Sequence, residues 1–486
     1  MDRVYWSYTT AVVVADLAIR VGLSLRIIMR KRAASVSLAW LVVILLLPFA
    51  GAIIYLLLGE KRLGERRGRK FVEDLPVITA WLKELRQRTE VNWEHVNPEC
   101  LPIARQIDAT ITAPAMPDNS LELIETPDAF FRSLVRDIDQ ATSSCYLEFY
   151  IWNQGGAADE VLQALIRACR RGVTCRVLLD SIGSRQFLHS SMTRLMRQSG
   201  IELVEALPAG IFRALFVRLD LRNHRKVITI DGRIAYTGSQ NLVDPKYFRQ
   251  DEGVGEWVDT MVRLRGPAVE ALTASFIYDW AQETDGNLKQ LLATSDIHPV
   301  EPVGNARVQI APSGPGYGED VIHNLLLTTI YAARHELILT TPYFVPDKAM
   351  LAALSSAAQR GVDVIIILPE KNDSKLVHYA SRARFEALTA AGVKIMAYHG
   401  GLLHAKTITV DSDFCTFGSL NLDMRSFWIN FEMTLFIYEK EFTCWVREMQ
   451  TGYLKNCRQI RRDATQKQPF WERLKENTAL LVAPLL

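Results

Sequence analysis

Two kinds of hydrophobic pattern divide the chain: long apolar runs fill its first sixty residues, and short β-like runs alternating with amphipathic stretches fill the rest. Residues 37–58, SLAWLVVILLLPFAGAIIYLLL, carry no charge over 22 positions. At about 1.5 Å per residue, a helix of that length crosses the roughly 30 Å hydrocarbon core. The pattern predicts a transmembrane helix, with Pro48 and Gly51 tolerated because neighbours in a membrane satisfy the backbone groups they free. Residues 4–25 predict a second span, although Asp16 and Arg20 interrupt it. Each costs about 2.5–3.5 kcal/mol if unpaired, and their i, i+4 spacing puts them on one face, where mutual pairing or contact with the next helix lowers that cost. The start lacks the basic region and small-residue cleavage site of a signal peptide.

With two spans, Met1 and everything after Gly59 face the same side. The tract KRLGERRGRK (61–70) has six basic residues and Arg3 adds one, against four in the connecting loop, Arg26, Arg30, Lys31 and Arg32. That margin places the remainder in the cytoplasm, though narrowly. The tract serves equally as a topological flank and as an attractor of anionic headgroups.

Past residue 110 the pattern repeats. CYLEFYIW (145–152) reads as a strand, 157–171 as an amphipathic helix and RGVTCRVLLD (171–180) as a turn and strand; LILTTPYF (337–344), 347–359 and RGVDVIIILPE (360–370) follow the same order. Strand, helix and strand in succession imply right-handed crossovers and a largely parallel sheet covered by helices. The fold class is therefore α/β, with two pseudo-symmetric lobes of mixed or parallel sheet after two transmembrane helices. Expected boundaries are 1–60 for the membrane helices, 61–110 for a basic juxtamembrane segment and linker, 111–295 for the first lobe and 296–486 for the second.

Length and composition agree with that division. A chain of 486 residues exceeds what one core organises, and 49% hydrophobic residues exclude wholesale disorder. A net charge of +2 excludes the strong basic field of a dedicated nucleic-acid binder. Seven scattered cysteines without a C-x-x-C pair suggest neither a disulfide framework nor a zinc site.

The chemistry lies in the repeat. HRKVITID (224–231) and HAKTITVD (404–411) both fit H-x-K-x4-D, 180 residues apart, and are followed by GSQN (238–241) and GSLN (418–421). One such motif is weak, but two with matching surroundings are strong. On a strand, residues two apart share a face, so His224 projects with Lys226 and His404 with Lys406. Lysine supplies positive charge for phosphate oxygens, while Ser239, Asn241, Ser419 and Asn421 add donors. This describes a phosphodiester site that needs no cofactor or metal. One neutral imidazole attacks phosphorus and its protonated partner donates to the leaving oxygen. Asp231 and Asp411 follow the lysines at an odd offset and read as supports of the site. A nucleophilic histidine needs its other nitrogen fixed by an acceptor; Glu432 is the candidate to orient His404, and Asp259 to orient His224.

These duplicated motifs resemble the phospholipase D superfamily. The tracts LDLRNHRKVITIDGRIAYTGSQNLVDP, TTPYFVPD and GGLLHAKTITVD with GSLNLDMRSFWINFE, behind two apolar segments, are similar to the membrane-anchored bacterial cardiolipin synthases of the A type. The resemblance covers essentially the whole chain. It implies transfer of a phosphatidyl group from one phosphatidylglycerol to another through a phosphohistidine, giving cardiolipin and glycerol, in the bacterial inner membrane. It implies His224 as nucleophile and His404 as acid and base, although sequence symmetry alone also permits the reverse. Lys226, Lys406, Asn241 and Asn421 would hold the phosphate, and Asp231 and Asp411 complete the family's motif. No nucleic-acid partner is implied, and the oligomeric state is left open. The motif does not distinguish water or another alcohol as acceptor, which keeps a hydrolase or a different phosphatidyltransferase as the alternative. The first lobe also carries about a dozen extra residues, within 207–222, whose apolar residues alternate with Arg213, Arg218 and Arg222. That stretch reads either as an interfacial element or as a packing helix. The apolar tail 467–486 likewise reads either as membrane-contacting or as packed, and the glycines at 314, 316 and 318 read as a loop before the second lobe.

Overall fold

The structure is a computed structural model that describes residues 2–30, 34–59, 64–94, 96–208, 218, 220–318, 320–460 and 469–482. The chain divides into two compact units, Met1–Gly68 with Ala209–Leu221, and Arg69–Pro208 with Arg222–Leu486.

The first unit contains helices α1 (Asp2–Met29), α2 (Ala34–Leu46) and α3 (Ala50–Leu58). The single helix expected over 37–58 is therefore split. Pro48 has no N–H and disfavours helix in the residue before it, so the run breaks at residues 47–49 and the chain folds back. Among the described residues, no helix is long and apolar enough to cross a membrane. Ile27, Trp40, Ile44 and Tyr55 form a small core between the three helices, with the Trp40 and Tyr55 rings edge to face at 5.4 Å. The pairing expected between Asp16 and Arg20 is present at 2.6 Å.

The second unit is built on one 15-stranded sheet. Its first lobe supplies β1 (Met116–Ile124), β2 (Ser144–Phe149), β3 (Thr174–Asp180), β4 (Glu202–Ala206), β5 (Val227–Ile230), β6 (Ile234–Gly238), β7 (Trp257–Val258) and β8 (Met261–Arg265). The second supplies β9 (Ala306–Ser313), β10 (Glu336–Thr340), β11 (Phe344–Val345), β12 (Asp363–Pro369), β13 (Lys394–Tyr398), β14 (Leu402–Leu403), β15 (Thr407–Val410), β16 (Phe414–Gly418), β17 (Leu422–Asp423), β18 (Glu432–Ile437) and β19 (Cys457–Ile460). Fifteen of these form the sheet, in the order β19-β13-β12-β10-β15-β16-β18-β9-β1-β8-β6-β5-β2-β3-β4, while β11 pairs with β17 and β7 with β14 apart from it. The lobes meet where β1 runs antiparallel to β9.

The sheet is mixed rather than largely parallel. Within it only β2-β3-β4 and β10-β12-β13 are parallel, and the helices predicted at 157–171 and 347–359 make the crossovers from β2 to β3 and from β10 to β12. The tight turns from β5 to β6 and from β15 to β16 make the motif strands antiparallel hairpins in the middle of each lobe. Those strands are buried on both faces: every residue of β5 and of β15 is buried.

Three further expectations meet the structure here. Within 61–110, Trp81, Leu82 and Leu85 pack into the core at the lobe junction, and Cys100, Ile103 and Ile107 into the second-lobe core. The interfacial or packing element expected at 207–222 lies mostly outside the described residues, Phe212 and Phe216 included. In the tail, helix Phe470–Val482 buries Ala479 beside Val377 and Ala380. Arg382 bonds Glu476 at 3.1 Å, while Phe470 and Trp471 stay exposed.

Candidate active site

His224 and Lys226 lie just before β5, and His404 and Lys406 just before β15; all four are buried. Each lysine folds its ammonium back on its own segment, Lys226 Nζ donating to the His224 carbonyl at 2.7 Å and Lys406 Nζ to the His404 carbonyl at 2.5 Å. An aromatic ring flanks each imidazole, Tyr150 at 5.0 Å from His224 and Trp257 at 4.4 Å from His404.

The orienting carboxylates are exchanged relative to the sequence expectation. His224 Nδ1 pairs with Glu432 at 2.8 Å, and His404 Nδ1 with Asp259 at 2.7 Å. Backbone crossing is the cause. β7 runs parallel to β14 and Phe431 bridges Asn223, so the segment before each carboxylate lies beside the other lobe's histidine. His224 N donates to the Phe431 carbonyl at 2.9 Å and His404 N to the Val258 carbonyl at 2.8 Å. Each histidine is thus gripped twice by the opposite lobe, once at its ring and once at its backbone N–H. Because a carboxylate only accepts, Nδ1 carries the proton in both rings and Nε2 keeps its lone pair.

Glu432 is tightly held. Its carboxylate also accepts from Ser419 Oγ at 2.5 Å, Ser426 Oγ at 2.8 Å and Asn430 Nδ2 at 3.4 Å. Asp259 is less so: Oδ2 is buried without a hydrogen-bond partner among the described residues. Burial favours the neutral carboxyl in both. The charge and hydrogen bond of the facing histidine, with the nearby lysines, outweigh it and hold both acids below their ordinary range. Burial dominates for the bases. It pushes His224 down to about 4 and His404 to about 3, against the pull of their carboxylates and with the push of the lysines. Lys226 falls to about 8 and Lys406 to about 7, again chiefly through burial. The resting site therefore holds two neutral imidazoles, two carboxylates and two lysines that lose their protons readily.

The remaining candidates separate into groups. Asn241 Oδ1 accepts from Ile151 N at 3.1 Å, leaving Nδ2 a buried donor without a partner among the described residues. Asn421 is buried with Oδ1 unpartnered. A phosphate oxygen suits the first of these directly. The serines serve the carboxylates' strands instead: Ser239 Oγ bonds both N and O of Thr260, and Ser419 Oγ accepts from Met433 N besides holding Glu432. Asp231 and Asp411 do not join the cluster. At φ of 52° and 51° they turn out of β5 and β15 and accept the backbone N–H groups of residues 142–144 and 334–336, at the start of β2 and β10.

Sequence reasoning missed a buried cluster behind His224. Arg225, wholly buried, pairs with Asp279 and donates through Nε to the Glu432 carbonyl at 3.1 Å, while the Tyr317 ring lies 5.6 Å from its guanidinium. Asn223 Nδ2 bonds the buried Glu148 at 2.5 Å. The signal was an arginine inside one H-x-K motif against an alanine in the other. The glycine tract, expected as a loop before the second lobe, is a loop inside that lobe, directly after β9. Gly314, at φ 132°, approaches Phe431 so closely that a Cβ would stand 2.9 Å from Phe431 Cα.

Two histidines, each on an opposite-lobe carboxylate and accompanied by a lysine, define a phospholipase D-type phosphodiester site. The family model described as "Cardiolipin synthase, PLD-like domain" matches residues 134–280 and 326–450, and "Phospholipase_D-nuclease N-terminal" matches 19–60. The chain is 44% identical to proteins named Cardiolipin synthase A from Pectobacterium carotovorum and Cronobacter sakazakii, in each case over 96% of both chains. The phosphatidylserine synthase of Haemophilus influenzae shares the fold at a TM-score of 0.59 and 15% identity, over 79% of this chain and all of that one. The chain belongs to the cardiolipin synthase family of phospholipase D-like proteins.

Proposed function

We propose that the protein is a phosphatidyltransferase that makes cardiolipin from two phosphatidylglycerols through a phosphohistidine. The observation that carries this reading is the crossed pairing of His224 with Glu432 and His404 with Asp259 beside two buried lysines. The phosphodiester anion binds between Lys226 and Lys406, with Asn241 and Asn421 at its oxygens. Its charge works against the burial and the lysines that depress the histidines, so bound substrate itself favours the imidazolium of His404. Neutral His224 attacks phosphorus through Nε2. The bond to the glycerol headgroup breaks, and the departing oxygen takes its proton from His404. Neutral His404 then removes the proton from the terminal hydroxyl of a second phosphatidylglycerol, whose oxygen displaces His224. Every bond broken is replaced by one formed, so no nucleotide activation is needed.

The surroundings of the two carboxylates support this assignment of roles. Glu432 spreads its charge over three donors besides His224, which suits a fixed neutral nucleophile. Asp259 directs more of its charge to His404, which suits the group that must carry a proton. We further read the first unit as membrane-embedded and the catalytic unit as cytoplasmic. The support is the uncharged run 37–58 and the basic tract that follows it.

The test is incubation of the detergent-purified protein with phosphatidylglycerol alone in excess chelator, beside His224→Ala and His404→Ala, with products resolved by mass spectrometry. Cardiolipin and glycerol, absent with either variant, are the expected products. Phosphatidic acid in their place makes the protein a hydrolase, and cardiolipin formed by both variants removes the histidines from the chemistry.

A further inference from the structure

We propose that residues 34–58 are a re-entrant hairpin, entering the lipid and leaving it through the same face, rather than a crossing helix. The proposal rests on the membrane reading above and specifies the route of the chain through it. Eight positions along an unbroken helix separate Val43 from Gly51 by about 12 Å. Here a Cβ on Gly51 would stand 2.4 Å from the Val43 carbonyl oxygen, so α3 lies directly against α2 and only glycine fits. The Trp40 and Tyr55 rings meet further down the same seam. At 13 and 9 residues the two arms reach about 20 and 14 Å, short of the roughly 30 Å core.

A chain that turns back inside lipid must satisfy the backbone groups freed at its tip. Phe49 N donates to Asp16 Oδ1 at 3.1 Å, and Arg20 Nη1 donates to the Leu45 carbonyl at 2.7 Å, while Asp16 and Arg20 pair with each other. The two charges that are costly on a plain span are thereby spent on the turn. Around it the outer surface is apolar, with Leu38, Val42, Leu46 and Ile53 exposed. Charge points the same way. A crossing helix divides the flanking basic residues, four before it and six after; a hairpin gathers all ten, four plus six, at one interface, where anionic headgroups complement them.

The chain carries no cysteine before Cys100, so a label on a peptide from residues 1–99 reports only an introduced thiol. Arg30→Cys and Glu65→Cys, both at exposed positions flanking the hairpin, are placed singly in active protein. They are labelled with a membrane-impermeant maleimide in right-side-out and inverted membrane vesicles, and the peptides are read by mass spectrometry. The hairpin requires both positions to label from the same face. Labelling from opposite faces overturns it while leaving the membrane reading intact. Extraction of the protein by alkaline carbonate without detergent overturns the membrane reading and the hairpin together. Asp16→Leu combined with Arg20→Leu is expected to abolish the one-faced pattern; an unchanged pattern refutes the role given to the pair.

Discussion

An imidazole fixed by a carboxylate from the other lobe cannot be tuned by its own copy of the motif alone. Glu432→Gln should therefore impair His224, and Asp259→Asn should impair His404, each by roughly 10³- to 10⁴-fold in turnover, as expected when an orienting carboxylate is neutralised. Trapping separates them: with radiolabelled phosphatidylglycerol, Glu432→Gln should form little phosphohistidine. Asp259→Asn should change the balance between formation and breakdown of that intermediate instead. The opposite pattern would reverse the roles of the histidines. The pH profile of kcat/KM, which reports the free enzyme, should be bell-shaped, with an alkaline limb near 7–8 from Lys406 and Lys226 and an acid limb near 4 from His224. Stability has its own dependence. Both histidines titrate lower folded than their ordinary 6.5, so the unfolded chain binds more protons between about 4 and 6.5. Stability gained above that window is lost as the pH falls through it; a midpoint in urea that does not drop over this range would contradict the burial of the pair.

At the scale of elements, the aspartates that close each motif tie one strand to the start of the next. Asp231→Ala and Asp411→Ala should each lower stability by about 1–3 kcal/mol, the cost of stranding backbone donors, while leaving kcat at low temperature within a few-fold of the parent. Thermal denaturation beside a kinetic assay distinguishes this from a catalytic role, which would cost orders of magnitude in rate. The sequence made these elements legible because local pattern set them: period-2 alternation, crossover helices and the odd offset from Lys226 to Asp231 are properties of a few adjacent residues. The exchange of Glu432 and Asp259 was not legible, since either pairing satisfies the same spacings and only the tertiary crossing of β7 with β14 decides it. The run 37–58 reads as one helix and folds as two for a related reason. Hydropathy counts apolar residues but is blind to where Pro48 and Gly51 turn the chain, and the backbone groups at that turn are satisfied by partners distant in sequence, Asp16 and Arg20.

Across the whole molecule the two copies are not equivalent. Behind His404, Ala405 occupies the position of Arg225, and Gln450 serves a neutral network, donating to Thr407 Oγ1 at 3.0 Å and accepting from Thr409 at 2.7 Å. Behind His224 the network is ionic. Burial and the nearby Asp279 push Glu148 well above the carboxylate range, and Arg225 pairs with Asp279 beside it. Arg225 extends from the first lobe to the carbonyls of Glu432 and Ser313 in the second, at 3.1 and 3.4 Å. A pair so buried is costly to break and cheaper to replace whole. Arg225→Met should destabilise by about 3–5 kcal/mol because it leaves Asp279 unpaired, whereas Arg225→Met with Asp279→Leu should recover much of that loss. Recovery of stability should not restore the chemistry, because neither variant supplies a donor to the Glu432 carbonyl. The double variant is therefore expected to melt near the parent yet to form phosphohistidine slowly. Full recovery of both would confine Arg225 to packing the junction, and the asymmetry between the histidines would then rest on Ser419, Ser426 and Asn430 alone.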